Sequence, residues 1–132
     1  MNKRSARLAL AGIAIGTVAA VGVSGAAYAE ASWNSSISGA GNGFESRTWY
    51  DNNKDSVNGY VYFSGCNANP TVAVYREDLG PDTEVKRGTI YCQNSSGYLY
   101  FGDVAKGNYH FTIKSTGTGT QGLSVSYVSV VY

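Results

Sequence analysis

The sequence predicts an all-β fold: a single antiparallel β-sandwich of immunoglobulin-like or jelly-roll type, with one disulfide and a signal peptide in front. Three observations lead there. Apolar residues recur at every second position in short runs, and Gly, Pro, Asn and Ser clusters separate those runs. No window after residue 29 carries a helical period.

The first segment to be set apart is the N-terminus. Lys3, Arg4 and Arg7 precede an uncharged, Ala-rich stretch from Leu8 to Ala29, which closes on Ala27-Tyr28-Ala29. A basic start, an apolar stretch and a small-x-small end are the parts of a cleavable export signal. Gly12, Gly16, Gly22 and Gly25 weaken the same stretch as a spanning helix. The expected organisation is therefore a signal peptide over 1–29, an N-terminal extension or hairpin over 30–50, and a β-sandwich domain over 51–132. Cleavage removes three of the ten Lys and Arg residues and none of the nine acids, so the net charge moves from +1 to −2. Nucleic acid and, once the signal is gone, membrane surfaces are not expected partners, because both require clustered basic residues. In an oxidising compartment Cys66 and Cys92 read as a disulfide rather than a metal site or a nucleophile.

Strands are expected over residues 57–64, 71–76, 88–93, 98–101, 108–114 and 123–132. Val72 and Val74 share one face of the second, and Tyr109, Phe111 and Ile113 share one face of the fifth. In the last run Leu123, Val125 and Tyr127 alternate with serines, then the phase changes at Val128, Val130 and Tyr132, which predicts a bulge or a residue pair buried on both sides. Turns are marked by residues 66–70, 79–81, 94–97, 106–107 and 116–122. Residues 30–48 carry few large apolar groups and read as a strand, turn and strand or as a loose arm.

The polar constellations favour no catalytic or cofactor chemistry, so no catalytic residue, metal or cofactor is expected. Asp51, Asn53 and Asp55 have the alternate spacing of a calcium loop, but Ser56 and Tyr62 stand where such a loop needs Gly and a bidentate acid. A polar turn is the simpler reading. His110, the one histidine, alternates with apolar aromatics and should meet solvent or a neighbouring strand. Residues 76–87 hold seven of the 16 charges after residue 29 and read as a solvated loop, or as a protease-inhibitor loop presenting Leu79 or Lys86. Tyr60 with Tyr62, and Tyr98 with Tyr100, form rows whose neighbours Val61, Phe63, Leu99 and Phe101 claim the inner face. Exposed tyrosine rows suit a protein interface, sugar stacking or plain cross-strand pairing.

The stretch from Phe101 to Ile113, with its Gly107-Asn-Tyr109-His-Phe111 turn and strand, resembles bacterial pre-peptidase C-terminal and related jelly-roll or immunoglobulin-like modules, as do residues 57–64 and 71–75. That resemblance implies a sandwich without catalytic residues. More loosely, the layout is similar to small secreted actinobacterial proteins, among them the adaptor subunit of umbrella toxin particles. This second resemblance implies an adaptor role in which the N-terminal extension docks into a partner. The absence of a catalytic set, beside an aromatic-rich surface and an apolar-studded arm, leads to the expected function: a secreted, non-enzymatic protein–protein interaction module for an extracellular protein partner. Trp33, Ile37, Phe44 and Trp49 of the N-terminal extension would be its partner-binding anchors. A carbohydrate-binding module for a polysaccharide and an inhibitor of a secreted hydrolase are the alternatives.

Overall fold

The computed structural model describes residues 31–53, 56 and 58–132. The expected signal peptide and Asp55 lie outside the described residues. Eight strands follow one another along the chain: β1 (Ser32–Ala40), β2 (Trp49–Asp51), β3 (Gly59–Cys66), β4 (Thr71–Arg76), β5 (Thr83–Thr89), β6 (Ser96–Gly102), β7 (Gly107–Ser115) and β8 (Leu123–Val131). They form two four-stranded antiparallel sheets, ordered β1-β8-β3-β6 and β2-β7-β4-β5.

Of the two expected architectures, this order is the jelly roll. Strand β1 pairs with β8, β2 with β7, β3 with β6 and β4 with β5. The chain is thus one long hairpin, folded over itself so that alternate pairs fall into opposite sheets. Its ends meet, because Ala31 and Tyr132 exchange backbone hydrogen bonds of 2.7 and 2.9 Å.

Alternation in the sequence becomes the core between the sheets. Val61, Phe63, Val128 and Val130 of one sheet face Val72, Val74, Phe111 and Ile113 of the other, all essentially without solvent contact. Burying each such side chain stabilises the fold by about 1.5–3 kcal/mol relative to leaving it exposed. The predicted phase slip in the last strand is present: its register against β1 jumps between the Ser35–Val128 and Ile37–Val125 pairs. Strand β3 changes facing at the same level, at Gly65, while its register against β8 stays unbroken; the Gly65 φ of +68° suits glycine. A Cβ there would stand 2.7 Å from Ser126 Oγ.

One expectation is corrected, and residues 31–50 take the strand, turn and strand reading rather than the loose arm. Residues 83–89, part of the expected solvated loop and the start of an expected strand over 88–93, form β5, while Ile90–Gln93 belong to the crossing between sheets. Strand β5 is an edge strand with only Val85 packed against the core, so its alternation is hidden among charges. Residues 31–50 are likewise built into both sheets. Strand β1 runs along β8, the 43–46 segment bonds to β7 at Ile113 and Phe111, and β2 follows. Its apolar content is thin because β1 is also an edge, with Ile37 and Ala40 as its fully buried apolar residues.

The disulfide Cys66–Cys92 is formed, with a Cα–Cα distance of 5.3 Å. It ties the end of β3 to the β5–β6 crossing, where the Asn69 side-chain oxygen also accepts the backbone N–H groups of Cys92 and Gln93 at 3.0 and 2.9 Å.

Candidate functional site

None of the four strands of the first sheet contains Asp, Glu, Lys, Arg or His. Their outward positions instead collect tyrosine. The β3–β6 register sets Tyr60 opposite Tyr100 and Tyr62 opposite Tyr98, and the β3–β8 register brings Tyr127 opposite Ser64. The five rings make one contiguous cluster. Centroids are 4.8 Å apart for Tyr62–Tyr98, 5.2 Å for Tyr60–Tyr98, 5.6 Å for Tyr60–Tyr100 and 6.1 Å for Tyr62–Tyr127. Tyr98, Tyr100 and Tyr127 remain 49, 54 and 43 % exposed, and none of the five hydroxyls has a hydrogen-bond partner among the described residues. Burial, and then the neighbouring phenols, push the Tyr60 hydroxyl above its ordinary pKa.

Ring orientation limits what the cluster can hold. Tyr98 and Tyr100 are within 15° of parallel at 5.4 Å, too close to lie side by side in one plane, so their faces overlap each other. The other contacts are tilted by 51–74°. The cluster therefore offers ring edges and free hydroxyls rather than a flat platform of ring faces.

The outward side of the second sheet is built differently. His110 is 5 % exposed, stacks on Tyr75 at 5.6 Å, and its Nδ1 lies 2.9 Å from Glu77 Oε2. Thr48 donates its hydroxyl to the same oxygen at 2.7 Å. That hydroxyl, and secondarily His110, hold the Glu77 carboxyl below its usual pKa against a smaller opposing effect of burial. The expectation that His110 meets a neighbouring strand is met, and its partner is a carboxylate shared with Thr48. Arg87 Nη2 pairs with Glu84 Oε1 at 2.6 Å, and Lys114 Nζ stands over the Tyr75 ring at 5.5 Å.

The four anticipated anchors lie apart from the tyrosine face, and two of them are spent on the chain's own core. Trp49 is 3 % exposed against Phe101, Tyr109 and Tyr132, and Ile37 is 7 % exposed. Trp33 is half-buried, stacked on Phe111 at 6.2 Å beneath the Arg47 guanidinium. Phe44 is 39 % exposed. With Ile37, Arg47 and Phe111, Trp33 and Phe44 line a shallow cleft at the sandwich edge.

Asp51 is buried and accepts the Asn53 backbone N–H at 2.8 Å, closing a local turn in which Asn53 has a φ of +57°. Leu79 projects wholly into solvent at the tip of the β4–β5 hairpin. Asp78 braces that tip, bonding Arg76 Nε at 3.0 Å and accepting the Thr83 hydroxyl.

The tyrosine rows were visible in the alternation of β3 and β6. Their adjacency and the membership of Tyr127 were not, because both depend on strand order and on the slip in β8. No family model, curated protein or solved structure matches this chain.

Proposed function

We propose that the chain is a secreted, non-enzymatic interaction module that holds an extracellular protein partner on the tyrosine face of its first sheet. The observation that carries this reading is the cluster Tyr60, Tyr62, Tyr98, Tyr100 and Tyr127, three of its rings about half-exposed and its hydroxyls without partners among the described residues, on a sheet whose strands carry no charge. Tyrosine supplies large contact area with little side-chain entropy to lose, plus a hydrogen-bonding tip, and is enriched where interface energy concentrates. The disulfide supports an oxidising compartment. The adaptor role implied by the looser sequence resemblance fits within this reading.

The test is retention of proteins from the producing culture's medium on the immobilised chain, against a triple variant Tyr62→Ser, Tyr98→Ser, Tyr127→Ser. Proteins kept by the parent and lost by the variant are expected, with no depletion by insoluble polysaccharides. Identical retention by both would overturn the protein-face reading. Retention of the parent alone on a polysaccharide would replace it with the carbohydrate reading, which the tilted rings disfavour.

The inhibitor reading is favoured by one observation, the fully exposed Leu79 on a hairpin tip braced by Asp78. Stoichiometric inhibition of a secreted protease that accepts apolar side chains, lost in Leu79→Asp, would support it. A panel of such proteases unaffected by the parent would remove it.

A further inference from the structure

Each sheet has two open edges, and three of the four are defended. Strand β5 carries Glu84, Lys86 and Arg87 and a register shift at Val74–Tyr75. Strand β2 is three residues long and ends on Asp51. Strand β1 is broken by two register shifts, at Ser35–Ile37 and Ile37–Ala40. Charges, short length and bulges are the devices by which natural sheets avoid edge-to-edge pairing. Strand β6 has none of them along Ser96–Tyr100. It contains no charge and no proline, its register against β3 is unbroken through those five residues, and its irregularity comes only afterwards, near Gly102. Among the described residues, positions 98–101 make no backbone hydrogen bond beyond the β3 ladder.

We propose that the chain pairs with a second copy of itself through β6, antiparallel and two-fold about Leu99, joining two four-stranded sheets into one of eight strands. The register follows from the strand itself. A two-fold at Leu99 sets Tyr98 opposite Tyr100 of the second copy and Tyr100 opposite its Tyr98. That repeats the tyrosine-against-tyrosine pairing β6 already makes with Tyr62 and Tyr60 of β3. Opposite residues of an antiparallel pair lie on the same face, so the tyrosine cluster continues across the junction rather than ending at the edge. Electrostatics select the same edge for self-pairing. The centred register sets Asp103 opposite Ser95 of the second copy, so no like charges meet, whereas two β5 edges would bring charged strands together. A two-fold contact of this kind is closed and stops at the dimer. This inference concerns the edge and stands independently of what the tyrosine face holds.

The experiment is sedimentation of the disulfide-bonded chain lacking residues 1–29 across a concentration series, with two variants. A reversible monomer–dimer equilibrium is expected for the parent. Y98E/Y100E places glutamate opposite glutamate at both positions of the two-fold register and should weaken dimerisation at least tenfold. Y98K/Y100E places the introduced lysine opposite the introduced glutamate of the second copy and should recover it. Hydrogen exchange supplies the second measurement: those amides of residues 98–100 that point away from β3 should gain protection with concentration in the parent. A parent monomeric throughout, a Y98E/Y100E variant that dimerises like the parent, a folded Y98K/Y100E variant that stays monomeric, or exchange at 98–100 independent of concentration would each overturn the proposal.

Discussion

The two sheets share one core and one topology, yet their outward sides are opposites. Every charged or histidine residue that falls within a strand belongs to the second sheet: Asp51, Arg76, Glu84, Lys86, Arg87, His110 and Lys114. The first sheet holds none and presents five tyrosines instead. On the second sheet much of the polar chemistry is consumed internally, since Glu77 serves Thr48 and His110 while Glu84 serves Arg87 and Tyr75. On the first, the tyrosine hydroxyls have no partner among the described residues, and Tyr98, Tyr100 and Tyr127 are only about half covered. One side spends its hydrogen bonds on the fold, and the other presents its hydroxyls outward. If that division is real, damage to the second sheet should cost stability, and damage to the first should cost association.

The largest effect is expected where both sides depend on one scaffold. The Cys66–Cys92 bridge closes a loop with a sequence separation of 26, worth about 3.5 kcal/mol in the chain-entropy model. The Cys66→Ala, Cys92→Ala double variant should lose about that amount in reversible denaturant unfolding. Both sheets should unfold in a single transition, seen by tyrosine fluorescence and far-UV circular dichroism alike. Separate transitions would show that the two sheets are independent units rather than two faces of one core.

Next in size is the clamp on the second sheet. Glu77→Ala leaves the buried His110 ring and the Thr48 hydroxyl without their acceptor, which should cost about 2 kcal/mol. Glu77→Gln keeps an acceptor oxygen for one of them and should cost less. The matched change on the first sheet is Tyr62→Phe, which removes a hydroxyl that has no partner and should leave the unfolding midpoint almost unmoved. Equal losses from Glu77→Ala and Tyr62→Phe would erase the contrast between the sheets.

The contrast should also appear as two limbs of a pH–stability curve. The Glu77 carboxyl is held below its ordinary value of 4.5 by Thr48 and then His110. It therefore contributes stability that is present above that value and is lost as pH falls through the depressed one. Tyr60 is raised above its ordinary value of 10.0 by burial and then by its neighbours, so the folded chain holds that proton more tightly. Its contribution is present below 10.0 and is lost as pH rises through the raised value. Thermal denaturation should show the acid limb flattened by Glu77→Gln and the alkaline limb flattened by Tyr60→Phe. Because burial also raises Tyr109 of β7, the part of the alkaline limb that belongs to the first sheet is the part lost in Tyr60→Phe, and either variant altering the opposite limb would break the assignment.

Much of the sandwich could be read from the chain because its central strands alternate cleanly. The boundaries of β4 match the expected 71–76, and the Val128 slip is seen. Edge strands were harder to read, for a physical reason. Strands β1 and β5 each bury one side along part of their length, so Ile37, Ala40 and Val85 are too few to set a period. The same cause misdirected the anchors. Trp33 and Trp49 stand out in a polar stretch as though reserved for a partner, yet they pack against Phe111 and Tyr109 of β7, whose nearness to them in space the spacing of residues does not reveal. Tyr60, Tyr62, Tyr98 and Tyr100 were legible as rows, since alternation alone turns them outward. Their union with Tyr127 required the pairing order.

A small expected effect on the first sheet is the most discriminating. Tyr100 is 54 % exposed, and among the described residues the rings it meets are those of Tyr60 and Tyr98, at 5.6 and 5.4 Å. Tyr100→Thr keeps a β-branched residue suited to a strand and removes one cross-strand and one same-strand ring contact at an exposed position, together worth about 1 kcal/mol. Its loss in denaturant unfolding should therefore stay below that of Glu77→Ala. A tyrosine kept to steady the sheet would cost more than this when removed, because its neighbours would be left facing a gap. A tyrosine kept for a partner costs the isolated chain little, because what it gives up is a contact the chain alone never makes. A Tyr100→Thr penalty above that of Glu77→Ala would assign the cluster to the fold, and the first sheet would then be as self-sufficient as the second.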